Sequence, residues 1–317
     1  MVLSAKKEVV MKTKKVDVII PTYRPGESFG ELLRRLEQQE YPVNKIIIMN
    51  TEKSYWKKEW EEQCGRLEVH HLRKEDFDHG GTRHQAAELS KGEILVFLTQ
   101  DAMPADKKLI GELVKPFEKD GCTGAAYARQ LPAHDCSFLE RYTRSFNYPE
   151  QSCVKTKEDL KTRGIKTYFC SNVCAAYDKQ IYERMGGFVT RAIFNEDMIY
   201  AGKLIQNEYH VAYAADARVI HSHNYSGLQQ FHRNFDLGVS QAEYPEIFEG
   251  VPSEGEGVRL VKKTAGYVIK KGKIWLLPVL FYQSACKYAG YLAGRHYEKL
   301  PAWLIRRCTM NPAYWKR

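Results

Sequence analysis

Three groups of residues have the types and spacing to do chemistry. The first is Phe77 to Pro104, FDHGGTRHQAAELSKGEILVFLTQDAMP. A Gly-Gly turn opens a helix that carries Arg83, with Asp78 and His79 just before the glycines. A guanidinium beside a helix N-terminus supplies the positive charge that suits phosphate. An apolar strand, Ile94 to Leu98, then ends on a lone acid, Asp101. That position suits a metal ligand or a group facing a bound phosphate, and equally an Asp that caps the next turn. The second group is the acid pair Glu196 and Asp197. One of them can serve as a general base, and acids are also favoured at a helix N-terminus by the dipole. The third is His221 and His223, which end an apolar strand and point to the same side. Imidazoles at a strand end suit a divalent metal, and histidines also stand in surface turns. Together the groups predict a nucleotide-diphosphate and metal site.

Such groups need a frame that delivers them to one place. Val16 to Thr22 (VDVIIPT) and Lys45 to Met49 (KIIIM) are continuous apolar runs, as expected of buried parallel strands. Glu31 to Gln39 places Leu32, Leu33 and Leu36 on one helical face. Leu67 to Leu72, Gly121 to Arg129, Tyr168 to Tyr177 and Val211 to Ile220 read as further strands. Thr82 to Ser90, Asp178 to Met185 and Asp197 to Asn207 read as helices, and Ser226 to Phe248 as a helix pair. Ser137 to Lys166 reads as helix and loop around a cleft, and Val251 to Val258 as a linker. This alternation predicts an α/β domain with a mostly parallel sheet over residues 1–225 and a helical, basic region over 226–317.

A chain of 317 residues with 44% hydrophobic content buries a full core. The basic, polar stretch Met1 to Lys15 lacks the apolar run of a secretory signal. The eight cysteines form no CxxC pair, so they are expected as reduced thiols in the cytoplasm. The net charge of +9 is uneven: Arg259 to Arg317 holds thirteen Lys or Arg and one acid, Glu298, and so carries +12. Residues 1–258 therefore carry −3. An anionic membrane surface or a nucleic acid would suit such a tail. The near-neutral remainder and its acid-bearing strand ends argue against nucleic acid.

The order VIIPTYR, FDHGGTR, FLTQDAMP, SN, GGF, NED, HSH resembles glycosyltransferase family 2 enzymes of the GT-A fold. Within that family it is most similar to bacterial rhamnosyltransferases that use dTDP-L-rhamnose. The resemblance spans about Val16 to Gly238 and continues into the tail. It implies that Pro21, Thr22, Tyr23 and Arg24 hold the nucleobase and ribose, with Glu52 near the nucleoside. It implies donor contacts from His79, Arg83, Gln100 and Asp101. Thr99-Gln100-Asp101 occupies the family's Asp-X-Asp motif, of which only the last Asp remains. A divalent ion, Mg²⁺ or Mn²⁺, would then rest on Asp101 with His221 or His223. Asp197 matches the catalytic base, with Glu196 beside it. Asn172, Gly186 and Gly187 are candidates for shaping the sugar and acceptor pocket.

The implied reaction inverts the sugar, giving an α-L-rhamnoside from a β-linked donor, on a saccharide that is expected to be lipid-linked. Ile274 to Ala293 (IWLLPVLFYQSACKYAGYLA) has the length of a bilayer span but contains Pro278, Gln283, Lys287 and Gly290. It is expected to lie at a membrane interface, placing the protein at the inner face of the cell membrane. Packing on the catalytic domain or on a second subunit is the alternative. Other functions stay open at this point: a UDP-hexose donor, a nucleic-acid-binding protein, or a scaffold without catalysis, since the first Asp of the motif is missing.

Overall fold

The computed structural model describes residues 13–251 and 254–316. The expectation about Met1 to Lys15 lies largely outside them. The strands are β1 (Val16–Tyr23), β2 (Val43–Thr51), β3 (Leu67–Leu72), β4 (Ile94–Leu98), β5 (Met103–Pro104), β6 (Thr123–Leu131), β7 (Cys153–Lys155), β8 (Cys174–Asp178) and β9 (His210–Ile220). They form one sheet in the order β3-β2-β1-β4-β8-β6-β9-β5, with β7 also on β9. The half β3-β2-β1-β4 is parallel. On the other half, β8 runs against both β4 and β6, while β9 is parallel to β6.

Both faces of the sheet are covered, which is why β1 reads as an unbroken apolar run. Alternate residues point to opposite faces. Val18 and Ile20 pack with Phe29, Leu32 and Leu36 of the helix Ser28–Glu37, and Ile19 packs with Phe97 and Tyr177 on the other side. One buried acid sits among them. Asp17 accepts from Ser90 Oγ at 2.6 Å and Lys91 N at 3.0 Å, tying the start of β1 to the turn before β4.

Two reversals at β8 return β9 to the direction of β1 and β4. Their C-terminal ends therefore open at one edge, the usual place for a ligand crevice in such sheets. β5 then fixes the register. Met103 lies opposite Ile220 and Pro104 opposite Val219, antiparallel. Continuing that pairing brings Asp101, just before β5, against His221 and His223, just after β9.

Three expectations are corrected. The strand expected over Tyr168 to Tyr177 is only Cys174–Asp178. Its first half leaves the sheet in a turn, Cys174 N to Ser171 O at 3.1 Å, where Asn172 bonds Glu196 and Asp197 instead of a strand. The glycines Gly80 and Gly81 lie inside the helix His79–Leu89 rather than in a turn before it. The expected linker is the start of a helix, Glu254–Lys270, although residues 252 and 253 lie outside the described residues. That helix buries Val268 with Leu139 and Leu280.

The stretch of bilayer length forms the helix Leu277–Arg295, laid along the helix Gly227–Glu243. No helix among the described residues is long and apolar enough to cross a membrane. Glycines allow the two backbones to touch. A Cβ on Gly294 would lie 2.0 Å from the Phe235 carbonyl oxygen, and one on Gly290 2.2 Å from that of Phe231. From the facing helix, a Cβ on Gly238 would lie 2.4 Å from the Tyr291 carbonyl oxygen. Gly294→Val should therefore cost about 3 kcal/mol in denaturant unfolding, the upper end for overpacking. Gly266→Ala, on an open helix face with nothing within 4 Å, should gain up to about 1 kcal/mol.

Candidate active site

Asp101, His221 and His223 offer one ligand atom each, and these atoms lie within 4.8 Å of one another. Asp101 Oδ2 is 3.6 Å from His221 Nε2 and 3.4 Å from His223 Nε2. Both separations are long for charge-assisted hydrogen bonds, which run near 2.7–2.9 Å. His221 is buried, and its Nδ1 meets Gln130 Oε1 at 3.0 Å. An amide oxygen only accepts, so Nδ1 donates and Nε2 keeps its lone pair toward Asp101 in the neutral ring. Arg144 donates to the same Gln130 oxygen, and Gln130 Nε2 donates to Ser171 Oγ at 3.0 Å, so the amide is held from three sides. Partial burial works against the Asp101 charge, but His221 and His223 outweigh it and hold the carboxyl far below its usual range. Burial and the His221 ring lower His223. One carboxylate and two imidazoles, facing one another across a gap, fit a divalent cation.

The acid pair begins the helix Glu196–Gln206. Asn195, left-handed at φ 73°, turns the chain so that the two neighbours point to different partners. Glu196 is buried and meets Arg83 Nη1 at 3.2 Å. Asn172 joins the two acids: its Nδ2 donates to Glu196 Oε1 at 3.0 Å and its backbone N to Asp197 Oδ2 at 2.7 Å. Tyr177 Oη in turn donates to Asn172 Oδ1 at 2.8 Å. The titrations diverge. Burial opposes the Glu196 charge, but Arg83 and His79 prevail and hold that carboxyl below its usual range. Burial and the neighbouring Glu196 charge push Asp197 up. A carboxylate raised toward neutrality beside one that stays ionised is the pattern of an acid–base site.

Arg83 is buried, with Nη1 also donating to the His79 carbonyl at 2.8 Å and Nε without a partner among the described residues. Burial lowers His79, which lies beside it. The helix N-terminus expected to face phosphate is closed instead, because Asp78 Oδ1 accepts from Gly80 N at 3.1 Å and Gly81 N at 2.8 Å. Gly80 is required by close approach: a Cβ there would lie 1.9 Å from the Val189 carbonyl oxygen. This contact seats Arg83 against the Glu196 loop. Gly186 and Gly187, both at positive φ, end the helix Lys179–Arg184, and Gly187 packs against His84 and Tyr182.

At the other end of the crevice, β1 and β2 present their C-termini side by side. Thr22 Oγ1 donates to Asn50 Oδ1 at 3.0 Å. Pro21 and Tyr23 complete β1, and Gln100 exchanges two hydrogen bonds with the Tyr23 backbone, at 2.9 and 3.0 Å. Arg24 lies over the Tyr55 ring at 4.6 Å and donates to its hydroxyl at 2.6 Å. Glu52 has φ 66° and its carbonyl accepts from Asn50 Nδ2 at 3.3 Å. A planar cation and two tyrosines at a strand end form a face on which a base can stack.

The model of glycosyl transferase family 2 matches residues 17–186. An O-antigen chain rhamnosyltransferase of Salmonella typhimurium is 37% identical over 95% of this chain and 96% of its own. One of Salmonella anatum is 36% identical over 94% and 95%. The chain belongs to glycosyl transferase family 2. The fold agrees with solved structures. A mannosyltransferase of Pyrobaculum calidifontis, solved with GDP-Man and Mn²⁺, matches at TM-score 0.56 and 19% identity over 96% of this chain and 86% of its own. S. aureus TarS 1–349 with UDP-GlcNAc matches at TM-score 0.51 and 15% identity over 90% and 92%.

In this glycosyltransferase the acid pair and the histidines fall outside residues 17–186, and the fold returns them to the crevice. Sequence reasoning missed Gln130, Asn172 as the link between the acids, and Tyr55. A buried glutamine at the end of a strand with an apolar middle, TGAAYARQL, is the residue that sequence reasoning passed over. Nothing local marks Asn172 as the residue that holds Asp197.

The Arg83–Glu196 pair is buried, so removing one partner strands a charge. Arg83→Met should lower stability by about 3–5 kcal/mol at neutral pH. Glu196 has a depressed folded pKa, so the stability it supplies is lost as pH falls through that value. Parallel urea titrations should show the gap between wild type and Arg83→Met closing as pH is lowered.

Proposed function

We propose that the protein is an inverting rhamnosyltransferase that moves L-rhamnose from dTDP-β-L-rhamnose to a saccharide of a cell-surface polysaccharide. The observation that carries this reading is full-length similarity to two O-antigen chain rhamnosyltransferases, together with a raised carboxyl, Asp197, in the crevice. The nucleoside end of the donor would lie on Pro21, Thr22, Tyr23 and Arg24, with Glu52 near the ribose. Gln100 holds that loop against the end of β4. The diphosphate would reach toward Asp101 and Arg83, whose unpartnered buried Nε is a donor in need of an acceptor.

Asp197 removes the proton from the acceptor hydroxyl as that oxygen attacks the anomeric carbon. The new carbon–oxygen bond forms as the bond to the diphosphate oxygen breaks, and the electron pair leaves with the diphosphate. In-line attack inverts the configuration. Glu196 keeps Asp197 basic, and Asn172 aims it. Asp101, His221 and His223 would hold a divalent ion, which when bound offsets charge on the departing diphosphate. Two imidazoles among the ligands favour Mn²⁺ over Mg²⁺, which takes oxygen donors. Asn172, Gly186 and Gly187 shape the walls around the sugar only indirectly, through the acid pair and the packing of His84.

The setting would be the inner face of the cell membrane. The C-terminal helices expose Ile274, Trp275, Phe281 and Trp303 beside Lys270, Lys271, Arg306 and Arg307. Aromatic side chains among cations suit an anionic headgroup layer. A homo-oligomer formed through the same helices is the second use this surface would support.

Incubation with dTDP-rhamnose and UDP-hexoses in Mn²⁺, with nucleotide release measured, tests the donor. Release from dTDP-rhamnose alone is expected; turnover of UDP-glucose alone would overturn the assignment. Asp197→Asn should bind donor with unchanged affinity and lose about 10²–10⁴-fold in transfer, the worth of a general base.

A further inference from the structure

A cleft of about 350 Å³ opens next to the metal cluster and takes no part in the donor site. It lies between the end of β6, the helix Phe138–Asn147 and Tyr267 of the helix Glu254–Lys270. Its chemistry is specific. Tyr142 and Tyr267 stack at 4.4 Å between ring centroids and line the cleft together with Tyr148. Arg129 and Arg141 line it as well. Among the described residues Arg129 pairs only with Glu150, at 2.9 Å, whose side chain is 84% exposed; such a pair is weak and readily exchanged for another anion. Arg141 makes no ion pair among the described residues, and its contacts to the carbonyls of Ala133, His134 and Cys136 are long, 3.3 to 3.5 Å. Two guanidiniums thus face the cleft with most of their hydrogen-bonding capacity unspent.

The cleft also touches the reaction centre. Gln130 forms part of its wall, holds His221, and donates to Ser171 Oγ. Ser171 precedes Asn172, whose backbone holds Asp197. Tyr148, which also lines the cleft, lies close enough to Asp197 to feel its charge, so a molecule in the cleft would sit in the neighbourhood of the proposed base.

We infer that this cleft is the acceptor site and that it takes a saccharide joined to a phosphate or diphosphate. The inference rests on the transferase reading above. Tyrosine rings cover the apolar faces of a sugar ring while their hydroxyls reach its polar edge. Paired arginines recognise phosphate oxygens by charge-assisted, often bidentate bonds. Because Tyr267 is one wall, the C-terminal extension completes the acceptor site. The basic, aromatic exterior of the same extension suits a membrane-anchored glycosyl phosphate.

The test is calorimetric, on the full chain saturated with dTDP and Mn²⁺ so that the donor end is filled. A panel of hexoses is titrated as butyl diphosphate glycosides and as plain butyl glycosides. At least one diphosphate form should bind tenfold or more tightly than its plain counterpart. The double variant Arg129→Ala, Arg141→Ala should erase that difference, and Arg129→Lys, Arg141→Lys should restore part of it. Tyr142→Ala should weaken both forms. Equal affinity of the two forms, no binding by either, or an Arg variant that keeps the full difference would overturn the inference. Failure of the transferase reading is seen separately, as absence of nucleotide release from dTDP-rhamnose without acceptor.

Discussion

Two adjacent carboxylates buried side by side are the constraint on which the candidate active site of this molecule depends. Enclosed without partners, Glu196 and Asp197 would repel each other and both would protonate. Arg83 breaks the symmetry by pairing with Glu196. Asn172 then bonds each acid with a different group, its amide side chain to one and its backbone to the other. One acid is committed to being charged, and its charge raises the other. Much of the surrounding fold serves this arrangement. Gly80 admits the Arg83 helix against Val189, Asn195 turns the chain before the pair, and the early end of β8 frees Asn172.

The cluster of Asp101, His221 and His223 answers to a different constraint, strand register. Asp101 and His221 are 120 positions apart, and a two-residue strand puts them together. A one-residue slip would turn the side chains to the opposite face. The two centres meet through Ser171 and Asn172, since Gln130 holds His221 and Ser171 together. Loss of the Gln130 amide would disturb both. The C-terminal helices, bound tightly through glycines, add Tyr267 to this side of the crevice.

Much of this was legible in the sequence. Unbroken apolar runs marked β1, β2 and β4 because both faces of those strands are covered. Asp101, His221, His223, Glu196 and Asp197 stood out because acids and imidazoles at the ends of apolar elements are costly without a purpose. The limits have physical causes. Tyr168 to Tyr177 looked like one strand because its aromatic residues pack in the core even where the backbone has left the sheet. The glycine pair at Gly80 looked like a turn, since sequence shows permissive residues and not the carbonyl that demands one. The helix end near Arg83 looked free for phosphate, and Arg83 itself looked unpaired. Its partner lies 113 positions away, and Asp78 had already filled the helix N-terminus. The packing of the tail on the helix Gly227–Glu243 was not legible, because glycine-mediated helix packing and interfacial helices share a composition of Gly, Tyr and Leu.

The central claim is that Glu196, held ionised by Arg83, sets the basicity of Asp197. The most direct test is a ¹³C NMR titration of the Asp197 carboxyl in the metal-free protein, with Glu196→Gln alongside. The account predicts a midpoint well above the usual carboxylate value in the wild type, and a clear fall toward that value once the Glu196 charge is removed. An Asp197 that titrates like an ordinary carboxylate, or one whose midpoint does not move in Glu196→Gln, would contradict it.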